Sequence, residues 1–210
     1  YAQSNQSRED IRDQGAEAFN AIDLLKTIPP ASTSVTYPSS ALGNAFKLAA
    51  QLAAGNVGTH AIWIKTSGFD THSQQVNTHA DLWTDVSDSL SAFDKDISNR
   101  NVADRVMVMG WSEFGRRVQE NASLGTDHGK AGTVFLMGQQ VKGGTFYGDV
   151  PDLGNLDQGD LRTEIDFRAI YSTIISDWFG QDPLPVLNAS YANLGFVEKP
   201  SSVLKLRSRR

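Results

Sequence analysis

The chain has 210 residues, 40% of them hydrophobic and 20% charged, which is enough to bury a full core in one large domain. It holds no cysteine, which excludes a disulfide scaffold, a thiolate nucleophile and any zinc site built on sulfur. A formal net charge of −5 argues against a nucleic-acid partner, since such a partner calls for a concentrated basic surface.

Residues 1–36 read as a polar segment and connector. Within them Ala18, Ile22 and Leu25 form a weak helical pattern stopped at Pro29 and Pro30, and Ser32–Ser40 is rich in serine, threonine and proline. Ser39 or Ser40 can then cap a helix whose apolar face is Leu42, Ala45, Phe46, Ala49 and Leu52, ending at Gly55. Thr59–Lys65 reads as a short buried strand that runs into Gly68-Phe69-Asp70-Thr71-His72. A long helix follows, with Val76, His79, Trp83, Val86, Leu90, Phe93 and Ile97 at steps of three and four. Arg105–Trp111 is the second strand, ending at Ser112-Glu113-Phe114-Gly115. Beyond Gly125-Thr126-Asp127-His128-Gly129, Thr133–Gly138 is the third. Gly143-Gly144 makes a turn, and Phe167, Ile170, Tyr171, Ile174, Ile175 and Trp178 mark the last clear helix, closed by Gly180 and Pro183. The four tryptophans fall in apolar patterns and are expected in the core.

Helices alternating with short, nearly uniform apolar strands predict an α/β fold with a mostly parallel sheet flanked by helices. The domain spans residues 37–198. Residues 199–210 form a basic tail with Lys199, Lys205, Arg207, Arg209 and Arg210, leaving 14 basic against 24 acidic groups over residues 1–198, a net −10. A frayed, solvated end fits such a tail, and an anionic surface is the other reading. No apolar run approaches the ~20 residues that span a bilayer, and Tyr1 opens no signal-peptide pattern.

Acidic residues sit just beyond the carboxyl ends of two strands, Asp70 and Glu113, where open α/β sheets bind their ligands. His72 follows Asp70 by two, and the Asp127-His128 pair precedes the third strand. Without cysteine, imidazole and carboxylate are the ligands for zinc, manganese or iron. Asp70, His72, Glu113 and His128 can share one ion only if their strands are neighbours. The alternative is that Asp70 and Asp127 cap turns and His128 donates to a carbonyl. His79, on the apolar stripe of its helix, and His60, in a strand, read as structural. Arg116 and Arg117 can hold an anionic substrate, because guanidinium matches phosphate or sulfate oxygens bidentately; surface charge is the other reading. Ser112 follows a strand as a nucleophile elbow would, but Gly110–Gly115 reads G-x-S-x-x-G where the elbow requires G-x-S-x-G.

Three blocks in order, Gly68–His72, Ser112–Arg116 and Gly125–Gly129, resemble the signature of the bacterial domain of unknown function 1501 family. Val141–Gly144 with Tyr147-Gly148, and Asp166-Phe167-Arg168, are similar to that family too, so the likeness covers roughly residues 37–196. The resemblance implies an alkaline phosphatase-like α/β fold, related to sulfatases. It also implies export to the periplasm or beyond, often through a twin-arginine signal. It further implies a divalent metal (zinc, manganese, magnesium or calcium) and the hydrolysis of phosphate or sulfate esters. Asp70, His72, Glu113 and His128 would then be ligands, Asp127 a ligand or the orienter of one, and Arg116 the group that neutralises an anionic ester. Phe114 stands where the superfamily places a ligand. No strand precedes Thr59, so the early aspartate and nucleophile of that fold are expected to lie outside this chain. A non-catalytic secreted binding or assembly protein is the rival reading, and a serine hydrolase using Ser112 a third.

Overall fold

A computed structural model describes residue 28 and residues 34–55 and 57–198. The Ala18–Leu25 pattern and the basic tail lie outside the described residues. Two compact units emerge: residues up to Ser67 with Asp81–Val102, and Gly68–Ala80 with the chain from Ala103 onward.

The first unit is helical. Helix α1 (Ala41–Ala54) starts where the sequence predicts, with the Ser40 side chain accepting from the Gly43 N–H at 3.0 Å, and ends at Gly55. Of the predicted face, Leu42, Phe46 and Ala49 are buried and Ala45 and Leu52 half-buried, and Ala50 is buried beside them. Helix α2 (Gln75–Asn99) contributes Ala92, Phe93 and Ile97 to this core, and the Phe46 and Phe93 rings meet at 5.2 Å. Asp96 is also buried there. It accepts from the Tyr37 hydroxyl at 3.0 Å and from Arg100 Nε at 2.9 Å. Burial, followed by the charge of Asp96, pushes the Tyr37 hydroxyl pKa up, so the phenol keeps its proton and donates it.

Two expectations are corrected here. Thr59–Lys65 forms no ladder among the described residues, and Trp63 within it is 73% exposed. Trp83 and Trp111 are exposed as well and Trp178 is half-buried, so none of the four tryptophans lies in the buried core. Their apolar spacing is real, but burial needs a facing layer, and local periodicity does not supply one.

The second unit holds the site. Strand β1 (Val108–Gly110) pairs antiparallel with β4 (Phe135–Met137), Met109 opposite Leu136. Strand β2 (Gly115–Arg116) pairs antiparallel with β3 (His128–Gly129), Gly115 opposite Gly129 and Arg116 opposite His128. Both ladders are short, and they neither form nor exclude the mostly parallel sheet that the helix–strand alternation predicts. Helix α3 (Phe167–Thr173) continues into a π-helical turn, Ile174–Trp178, and is followed by the short helix α4 (Leu184–Leu187). Thr173, fully buried, donates to the Ala169 carbonyl and accepts from the Leu194 N–H, both at 2.8 Å, which ties the chain leading to buried Phe196 against α3. No helix among the described residues is long and apolar enough to cross a membrane.

Asp166 caps α3, accepting from the Arg168 N–H at 2.9 Å, and also receives the Arg168 guanidinium. These bonds hold its carboxyl down to about 2. A depressed pKa means that the unfolded chain binds the proton first as pH falls, so this contribution is complete above the ordinary carboxylate range and fades toward pH 2. Thermal melts of the wild type and Asp166→Asn should therefore differ most above pH 4 and converge near pH 2. A gap that stays constant across this range would show that the Asp166 charge adds nothing.

Candidate metal centre

The loop after Phe69 and the turn before β3 are laced together by backbone bonds. Gln74 and Gln75 N–H groups donate to the Ser123 and Leu124 carbonyls at 3.1 and 2.8 Å, and the Arg117 N–H donates to the Asp127 carbonyl at 2.9 Å. Gly125 lies flat against the His72 backbone, where a Cβ would collide with the His72 carbonyl. That close approach is the physical need for glycine in the Gly125–Gly129 block. Asn121 supports the same corner. Its side-chain oxygen accepts from the Ser123 and Gly125 N–H groups at 2.9 and 3.1 Å, and its amide donates to the His72 carbonyl at 3.0 Å and to Asp127 Oδ1 at 3.3 Å.

This scaffold brings Asp70, His72 and His128 together, with one ligand atom from each within 4.8 Å of the others. Asp70 Oδ1 lies 2.7 Å from His128 Nε2 and 3.0 Å from His72 Nε2. The other nitrogen of His72, Nδ1, lies 3.1 Å from Asp127 Oδ1. Asp127 thus sits behind His72 and not in the convergent group, the place of an orienting carboxylate. The hydrogen bond from His128, and after it the His72 and Arg116 charges, hold the Asp70 carboxyl below the usual carboxylate range. His72 and Asn121 do the same for Asp127. All three ligand side chains are about half exposed.

The remaining predicted residues fall elsewhere. Glu113 is exposed and stands outside the group of three. Arg116 is mostly buried, its guanidinium donating to the Phe69 and Thr126 carbonyls. Arg117 donates to the Gln158 carbonyl at 2.8 Å. The Ser112 hydroxyl accepts from the Phe114 N–H at 3.4 Å, while His128 turns its Nε2 to Asp70, so these bonds do not join Ser112 to His128 as a nucleophile–base pair. His79 is half-buried and bonded to Thr71 Oγ1 at 2.9 Å, the structural role its helix position predicts.

Two site residues escape the sequence reading. Phe114 is a non-ligand there, yet its ring stacks on His128 with centroids 4.0 Å apart and planes 6° from parallel. Asn121 lies outside every motif that the sequence marks. The usable signal is its place two residues before Ser123 in a tight polar turn, the pattern in which an asparagine side chain bonds the backbone two residues on.

The donor set fits a divalent cation. A neutral imidazole carries one N–H, yet both His72 nitrogens face carboxylate oxygens. A cation held by His72 Nε2 and Asp70 would leave the Nδ1 proton to Asp127; an imidazolium, with two N–H donors, would satisfy the same two contacts. Two imidazoles and a carboxylate with open positions suit zinc, iron or manganese.

No curated protein and no solved structure matches the chain. A family described as protein of unknown function (DUF1501) matches residues 10–177. Because the match covers most of its length, the chain belongs to the DUF1501 family.

Proposed function

We propose that the chain carries the metal centre of a hydrolase acting on phosphate or sulfate esters, in an exported protein with an alkaline phosphatase-like α/β fold. The observation that carries the reading is the convergence of Asp70 Oδ1, His72 Nε2 and His128 Nε2 from segments 58 residues apart. Three protein ligands with an open side are the arrangement of catalytic sites, whereas structural ions are closed by four. When bound, a divalent cation supplies Lewis-acid polarisation of an ester oxygen and a lowered pKa for bound water.

The chain's own residues would hold and orient the ion. Asp70 Oδ1 and His128 Nε2 lie in direct contact at 2.7 Å, and Asp127 would fix the His72 tautomer by accepting at Nδ1. Half exposure of the ligands leaves room for an anionic ester to approach. Elemental analysis of protein purified without chelator, together with a panel of phosphate and sulfate esters, tests the reading. Stoichiometric metal and chelator-sensitive turnover of one ester class are expected. Metal without turnover favours a binding or assembly role, and neither metal nor turnover ends the proposal.

A further inference from the structure

We propose that Arg116 is a positioning residue of the metal centre: it clips the Asp70–His72 loop to the Thr126–His128 segment and, through Phe114, sets the plane of the His128 ring. The inference rests on the metal-centre reading above. A guanidinium offers five N–H donors in a rigid fork, so one side chain can bridge separate segments with fixed geometry. Here Arg116 Nη1 donates to the Thr126 carbonyl at 2.6 Å, and Nη2 donates to the Phe69 carbonyl and reaches Thr71 Oγ1 at 3.4 Å. Phe69 precedes Asp70, Thr71 lies between Asp70 and His72, and Thr126 stands two residues before His128. One guanidinium therefore touches the backbone of both ligand-bearing segments.

Two further contacts bear on the same function. Arg116 pairs directly with His128 in the β2–β3 ladder. Its Cζ lies 5.2 Å from the centroid of the Phe114 ring, which stacks face-on against His128. The side chain is 18% exposed and 3.8 Å from Asp70 Oδ1, so its charge acts on a ligand carboxylate while two of its five donors go to carbonyls of the ligand-bearing segments. Lysine cannot replace it, because three donors radiating from one nitrogen do not span two segments as a planar fork does.

Cobalt(II) titration of the full chain tests this, read both as affinity and as the visible d–d absorption of the bound ion. Arg116→Ala and Arg116→Lys should each weaken binding about 10–100-fold, the range for losing an outer-shell partner, with an altered absorption band. Methylguanidinium should restore part of the affinity of Arg116→Ala. Phe114→Leu, which spares the fork, should weaken binding less and move the His128 ring-proton signals of the metal-free chain, since a stacked phenyl ring shields them. It also keeps the proposal testable should the arginine variants fail to fold. Wild type that binds cobalt with Arg116 and Phe114 variants within twofold of it overturns this inference and leaves the metal centre standing. Wild type that binds no cobalt overturns the metal-centre reading itself.

Discussion

His128→Ala should abolish metal-dependent stabilisation of the chain. In the wild type, zinc at one hundred times its dissociation constant adds about 2.7 kcal/mol, a rise of about 5–10 °C in Tm for a protein of this size. His128→Ala removes one of three ligand atoms and leaves Asp70 facing His72 alone. The affinity loss should exceed the ~10–100-fold expected for an outer-shell change, and the zinc-induced rise should vanish at the same concentration. Asp70→Asn should act alike, because an amide oxygen lacks the charge that two imidazoles share here. Asp127→Asn should be milder, since it disturbs the orientation of His72 and spares the ligand set. Equal zinc shifts in all four proteins, measured by scanning fluorimetry against a chelated control, would mean that the cluster holds no ion.

The second large effect concerns stability. Asp96→Ala should cost about 3–5 kcal/mol, the range for breaking a buried ion pair by removing one partner, or about 6–20 °C in Tm. The Asp96 side chain is 2% exposed and joined to Arg100 Nε, while Arg100 Nη2 is already buried without a hydrogen-bond partner among the described residues. Truncation leaves that guanidinium uncompensated and strands the Tyr37 hydroxyl. Tyr37→Phe should cost less, about 1.5–3 kcal/mol for a hydrogen bond to a charged group. The double variant should fall short of the sum, because both changes remove the same contact. Urea denaturation of the three variants checks this ordering, and an Asp96→Ala loss under 1 kcal/mol would show that the pair is dispensable.

How much of this was legible in the chain depends on how local the cause is. Helix α1 is set by features a few residues apart, namely the Ser40 hydroxyl reaching Gly43 and an apolar stripe at steps of three and four. The extent of α2 followed the same logic, but which part of it is buried did not. Val76 and Trp83 carry the right spacing and are exposed, while Phe93 and Ile97 are buried. Burial is decided by a facing element, and the facing element is remote in sequence.

The same division holds at the site. Composition alone settled that no thiolate can hold a metal here, which leaves carboxylate and imidazole as the side chains suited to zinc, manganese or iron, and that four histidines are all the chain can offer. Asp70 and His72, two residues apart beyond a predicted strand, were legible as partners. The tertiary structure decided that His128 joins them, that Glu113 stays outside, that Asp127 stands behind His72, and that Arg116 faces the protein's own carbonyls. The reason is register. In the β2–β3 ladder Arg116 lies opposite His128, and a shift of one residue would turn each side chain to the other face. That choice is made by backbone hydrogen bonds between distant segments, and no local pattern of residue types records it.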